Sequence, residues 1–188
     1  MAEKEAKIQR AITLILAYPF AILLIGVVLN WFVFGVKAPV IALPSVEYIF
    51  SVMLSAALLV INHTWLMTST ELARARYKMY ATPEEWTASG TSRNSVSEEG
   101  LRELERRHNT HRNTTENAVY FVFLAFIFAF VSPANIAAQA WIIGFAVARL
   151  GYTYSYLSGN DSARGVFMSL SLLSLFGIAS YLLMSLVV

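Results

Sequence analysis

Arg149 is the single charged residue between Glu116 and Asp161. A guanidinium in such a stretch cannot face lipid; it must look into a helix bundle or a water-filled cavity, where it can bind or pair with something. Thr153 and Tyr156 follow at helical spacing on the same face, with Tyr152 at its border. A second polar patch precedes the uncharged run: Arg112 and Glu116 are one turn apart and Asn113 adjoins them. Two chemistries are open. Arg149 and Glu116 could form an intramembrane ion pair, either as a strut between helices or as the charge pair of a transporter or channel. Alternatively, the two faces make a pocket rich in arginine and tyrosine, open to the cytoplasm and suited to an anionic ligand with hydrogen-bonding groups.

Other candidates lead less far. Glu105, His108 and His111 have the helical spacing of metal ligands, but Arg106, Arg107 and Arg112 flank them and oppose a cation, so no metal is expected. His63 reads as an interhelical hydrogen-bonding residue. Ala140, Gly144 and Ala148 form a small-residue stripe that favours close helix packing. The aromatic run from Tyr120 to Phe130 is explained by lipid contact and packing. The chain has no cysteine, which excludes disulfides and thiolate metal sites.

The elements that position these residues follow from charge distribution. Of 188 residues, 57% are hydrophobic and only 14% charged, against about 25% charged in an ordinary soluble domain. Ala11 to Val36, Ile49 to Thr70, Ala118 to Ala148 and Gly165 to Val188 carry no charge at all. Each exceeds the roughly 20 residues that cross a hydrocarbon core as a helix. A soluble enzyme is excluded, and so is a β-barrel, whose strands would alternate apolar and polar residues over about ten positions. The expectation is an all-α integral membrane protein with five spans. The first follows a charged leader, Met1 to Arg10, and passes Pro19; it is too long for a signal peptide. The second opens near Tyr48 and ends at Thr82-Pro83. A polar loop covers 81–100. The third span begins in charged sequence at Leu101, because Ala118 to Val131 alone is too short to cross. Ala134 to Leu157 is the fourth, and the fifth starts at Gly165.

With five spans the leader, the 71–117 region and the 158–164 turn share one side. Of the fourteen lysines and arginines, Lys37 alone falls on the other. The positive-inside rule makes the amino terminus and the polar pocket cytoplasmic, in an endoplasmic reticulum or a bacterial inner membrane.

Three segments, ARARYKMYATPEE from Ala73, LERRHNTHRNTTEN from Leu104 and ARLGYTYSYL from Ala148, resemble the MAPEG family, membrane-associated proteins of eicosanoid and glutathione metabolism. The likeness covers about residues 46–188, a four-helix domain with cytoplasmic loop 81–100, and leaves 1–45 as an added amino-terminal span and connector. The resemblance implies a homotrimer that binds glutathione between subunits and meets a lipophilic electrophile or lipid hydroperoxide arriving through membrane lipid, with no nucleic acid involved. It places Arg112, Asn113, Glu116, Arg149, Tyr152 and Tyr156 on glutathione, with Arg74 reaching it from the adjacent subunit. Arg164 falls beside the sulfur as the catalytic residue. A guanidinium there favours the thiolate of a thiol whose ordinary pKa is near 8.5. The activity implied is a membrane glutathione transferase, with peroxide reduction as an added capacity; a glutathione-dependent prostaglandin isomerase and a non-enzymatic lipid-binding scaffold are the alternatives within the family. Asn109 stands where close relatives have arginine, Thr114 where they have aspartate, and Gly165 where the isomerase has serine.

Overall fold

The computed structural model describes residues 2–188, with side chains from Lys4 onward; Met1 of the charged leader lies outside the described residues. Helix α1 spans Ala2–Leu29 and takes in the rest of that leader, continuing through Pro19. Its last turn widens to a π-helical Asn30–Phe34, closed where Gly35, at φ 74°, donates its N–H to the Asn30 carbonyl at 2.9 Å. An extended connector leads to α2, Val46–Arg76, whose amino terminus is capped by the Ser45 hydroxyl accepting from the Tyr48 N–H.

Helix α2 ends at Arg76, before the expected stop. Lys78 then takes a left-handed conformation. Thr82-Pro83 instead opens a short helix, α3, Pro83–Ser89, inside the region read as loop. The reason is local: Thr82 and Glu85 form a reciprocal capping box, and proline suits a first helical turn, where its missing N–H costs nothing. A 3₁₀ turn at Arg93–Ser95 follows. Helix α4, Glu98–Phe130, starts ahead of Leu101 because Ser97 caps it. The next span is α5, Asn135–Ala138, a π turn at Gln139–Ile143, and α6, Gly144–Leu157, in unbroken succession. Helix α7, Asp161–Ser185, begins before Gly165 because the Asn160 side chain accepts from the Ala163 N–H at 3.0 Å. Arg164 therefore sits within its first turn.

Five helices among the described residues are long and apolar enough to cross a membrane: Lys4–Phe34, Val46–Arg76, Glu98–Phe130, Asn135–Leu157 and Asp161–Ser185. The all-α, five-span expectation holds, and this is an integral membrane protein. Helices α2 and α4 run antiparallel. The Tyr48 hydroxyl meets the Ala125 carbonyl, the His63 and His111 rings lie 5.9 Å apart, and Arg107 donates to the Ser69 carbonyl. Helix α6 packs antiparallel to both α4 and α7 around a buried core that includes Phe121, Phe128, Ile142, Phe145, Ile178 and Tyr181. Phe121 and Phe145 stack with centroids 4.1 Å apart. The aromatic run is thus divided: Phe121 and Phe128 fill the core, while Tyr120, Phe123 and Phe126 face outward with the other apolar side chains that meet lipid. The small-residue stripe does bring helices close, since Gly144 lies against Ser174 and Ala148 is buried.

Candidate functional site

Helix α6 brings Arg149, Tyr152 and Tyr156 onto one face, and α7 supplies Arg164 opposite its end. Together they form a continuous ladder. The Arg149 guanidinium lies 4.2 Å from the centre of the Tyr152 ring, the two tyrosine rings are 5.6 Å apart edge to face, and Arg164 lies 4.9 Å from the centre of the Tyr156 ring. Each contact joins a cation to a π face or one aromatic quadrupole to the next, which orders side chains that would otherwise sample several rotamers.

Arg149 is fully buried. Its Nη2 donates to Oδ1 of Asn113 at 2.9 Å and to the Thr114 hydroxyl at 2.8 Å; its Nη1 reaches the Ser171 hydroxyl at 3.3 Å and the Met168 sulfur at 3.7 Å. All four partners are neutral, and Nε has no partner. The sequence left an Arg149–Glu116 ion pair open, and the structure does not make it: among the described residues no carboxylate pairs with Arg149. Glu116 is exposed on the outer flank of α4, as is Arg112, whose Nη2 donates to Asn109 Oδ1 at 2.9 Å. A buried cation surrounded by neutral dipoles keeps most of its desolvation cost and attracts an anion brought within reach.

The ladder ends at a polar hollow of about 280 Å³, lined by Arg106, Asn109, Tyr156 and Arg164, with Glu105 and Asp161 at its sides. That is at the lower limit for a small-molecule site. Arg164 is paired with Asp161 at 3.3 Å and is about one-third exposed, so its guanidinium is both held and reachable. Arg106 donates to the Tyr156 carbonyl at 3.3 Å, tying α4 to the end of α6. Of the residues singled out from sequence, Tyr156 and Arg164 line the hollow; Arg149, Tyr152 and Asn113 connect to it through the ladder and its hydrogen bonds; Arg112 and Glu116 are exposed on α4 and do not line it, though Arg112 bonds Asn109, which does. Arg74 is apart from these. It lies in the last turn of α2, bonded to Glu71 at 2.5 Å, and does not line the hollow.

Three contributors went unread in the sequence: Arg106, Thr114 and Ser171. Ser171 lies two turns beyond Arg164 on the same face of α7, a spacing that could have revealed it. Thr114 stood out as a departure from the family pattern, but here its hydroxyl directly holds Arg149. Among the described residues no group of three or more metal-ligating side chains comes together. A second groove, of about 400 Å³, lies between α2 and α4 near Tyr48 and Phe130; its lining is apolar and lacks charge.

Fold and site define a class: a multi-span helical bundle with a cationic, tyrosine-rich hollow at its charged end. The chain belongs to the MAPEG family, whose model matches residues 52–184. It is 31% identical to prostaglandin E synthase of Canis lupus familiaris over 119 residues, covering 63% of this chain and 76% of that protein. It is 31% identical to prostaglandin E synthase of Homo sapiens over 105 residues, 56% of this chain and 67% of the relative. The Bos taurus protein of the same name is 30% identical over the same coverage.

Proposed function

We propose that this protein is a membrane-bound glutathione transferase, binding glutathione at the charged end of the bundle and directing its thiolate at a lipophilic electrophile. The observation that carries this is the buried, uncompensated Arg149 joined by a tyrosine ladder to an accessible Arg164. Glutathione has two carboxylates, one ammonium group and a thiol. The surrounding groups match that set in kind: Arg106, Arg112, Arg149 and Arg164 for the carboxylates and the sulfur, Glu105 and Glu116 for the ammonium. The hollow in one chain is smaller than the tripeptide requires. A trimer in which Arg74 of a neighbouring subunit closes the exposed flank at Arg112 and Glu116 completes it, with this end of the molecule in the cytoplasm.

In this reading Arg164 lowers the cost of the thiolate by placing a cation beside it, assisted by the amino terminus of α7. The thiol proton leaves to solvent. The sulfur lone pair forms the new bond to an electrophilic carbon, whose leaving group departs with its electron pair. Tyr152 and Tyr156 bridge the two arginines through their rings; Asn113 and Thr114 fix Arg149.

A second reading is favoured by the relatives' name, a glutathione-dependent isomerase forming prostaglandin E. Gly165 beside Arg164 lacks any side-chain hydroxyl to assist the sulfur, which weighs toward the transferase. Calorimetric titration of glutathione into the detergent-purified protein, with an ultraviolet difference spectrum for bound thiolate and assays of both reactions, decides. Saturable binding with a thiolate band and conjugation of a chlorinated dinitrobenzene supports the transferase; prostaglandin E formation without conjugation replaces it with the isomerase; no binding at millimolar glutathione overturns both.

A further inference from the structure

Helices α2, α4 and α6 meet in a junction, and their contacts fix which side chains point into it. Helix α1 stands apart, packed in parallel on α7, where Tyr18 meets Ser169 and Asn30 reaches Gly177. On α2, His63 lies about 100° round from Asn62 and meets His111 of α4, while Trp65 lies about 60° the other way and meets Tyr154 of α6. Asn62 is therefore aimed between the two. On α6, Thr153 lies between Arg149, about 40° to one side and bonded to Asn113 and Thr114 of α4, and Tyr154, about 100° to the other and against α2. The levels agree as well. The antiparallel pairing of His63 with His111 puts Thr114 level with Val60, the parallel pairing of Trp65 with Tyr154 puts Arg149 level with the same residue, and Asn62 follows within one turn.

Asn62, Thr153 and Arg149 are all fully buried. Each keeps polar atoms without a partner among the described residues: Nδ2 and Oδ1 of Asn62, Oγ1 of Thr153 and Nε of Arg149. Buried groups of this kind are ordinarily satisfied by protein, water or an ion. Three of the four can donate, and one of these belongs to a guanidinium whose bonded partners are all neutral. A water molecule here serves the hydrogen bonds and leaves the charge; an anion serves both. Enclosure by three helices restricts it to a small one.

We propose that the junction of α2, α4 and α6 binds a small monovalent anion of chloride's size, held by the Arg149 Nε–H, the Asn62 amide nitrogen and the Thr153 hydroxyl. The ion compensates the buried charge and, taking donors from both helices, ties α2 to α6. The site is distinct from the hollow at Arg164 and does not depend on the glutathione reading.

The test is thermal unfolding of the full chain in detergent without glutathione, with sodium chloride exchanged for sodium gluconate at constant ionic strength. The parent's midpoint rises with chloride once its concentration passes the dissociation constant, as binding to the folded state requires. Asn62→Leu moves the onset of that rise roughly ten-fold higher in chloride, the worth of a hydrogen bond to an ion. Thr153→Val, which keeps the side chain's shape, moves it in the same direction, and Arg149→Leu abolishes the rise. Crystals soaked in bromide show an anomalous peak between Asn62 and Thr153. A parent midpoint indifferent to chloride overturns the proposal, as does water at the junction in place of the bromide peak. A dependence that survives both Asn62→Leu and Arg149→Leu puts the anion elsewhere and overturns it too. Should Asn62→Leu not fold, Thr153→Val and the bromide peak decide. Glutathione calorimetry on the parent judges the other reading separately, so the two failures are told apart.

Discussion

Trp141 donates its indole N–H to Oδ1 of Asn30 at 2.9 Å, and both residues stand in five-residue π-helical turns. The amide of Asn30 completes the knot by donating to the Gly177 carbonyl and the Ser180 hydroxyl at 2.8 and 2.9 Å. A π turn inserts an extra residue into the helical repeat and rotates the side chains that follow. Here two such turns face each other and aim complementary polar groups across an apolar interface.

Asn30→Leu keeps the apolar surface and removes all three bonds. Interhelical hydrogen bonds in membranes are worth about 0.6 kcal/mol on average, so the variant loses about 1–2 kcal/mol in a reversible detergent denaturation. An unchanged midpoint would show that the apolar contact of α1 suffices.

Gly177 passes beneath Trp141 so closely that an added Cβ would lie 2.5 Å from the indole, and Gly151 is similarly covered by the Phe167 ring. Gly177→Ala and Gly151→Ala are each expected to cost about 1–3 kcal/mol by overpacking. Gly165→Ala meets open space within α7 and is expected to hold or raise the thermal midpoint, alanine favouring a helix over glycine by up to about 1 kcal/mol. Equal midpoints for all three would contradict this packing.

Arg149→Leu separates binding from stability. Replacing a buried cation that has no anionic partner with an apolar side chain removes its desolvation cost but takes a donor from Asn113 and Thr114, so opposing effects of about 1–3 kcal/mol nearly cancel in stability, while glutathione affinity falls more than ten-fold, roughly 1.4 kcal/mol or more. Thermal unfolding and calorimetry on the same preparation read both. A lowered midpoint with affinity retained would make Arg149 a strut.

Tyr77 packs on Gly100 and donates its hydroxyl to Glu99 at 2.8 Å, joining the end of α2 to the start of α4. The bond to Glu99, reinforced by partial burial and the carboxylate's charge, raises the phenol's pKa above its ordinary value. A raised pKa means the folded state favours the neutral phenol; the stabilisation is full below the ordinary tyrosine pKa and is lost as pH rises through the folded value. In an ultraviolet titration Tyr77→Phe removes one late-titrating phenol, and Glu99→Gln moves it back down. If neither variant alters the high-pH limb, the hydrogen bond is absent in solution.

The spans were legible because charge is excluded from lipid, so each uncharged run declares itself without packing information. Helix ends were less so. Thr82-Pro83 combines a stop signal with a start signal, and only the capping partner Glu85 distinguishes them. The arginine–tyrosine face of α6 was readable from spacing alone, because Arg149, Tyr152 and Tyr156 come from one helix. Which residues Arg149 would touch was not: Asn113 and Thr114 come from α4 and Ser171 from α7, and their meeting depends on interhelical register. Asn30 lay unnoticed within an uncharged run, since an amide carries no charge to betray it.

The parallel pairing of α1 with α7 also dictates an order of assembly. Synthesis delivers α1 first and its partner last, so the Asn30 amide enters the bilayer long before Gly177 and Ser180 exist. Until then its amide nitrogen lacks its final acceptors, although Trp141, made earlier, can already reach its oxygen, and the contact with α7 closes a loop of about 150 residues, the slowest kind to form. A nascent chain cut short before Gly177 would leave that amide nitrogen without either acceptor. The first helix thus reports whether the last has arrived.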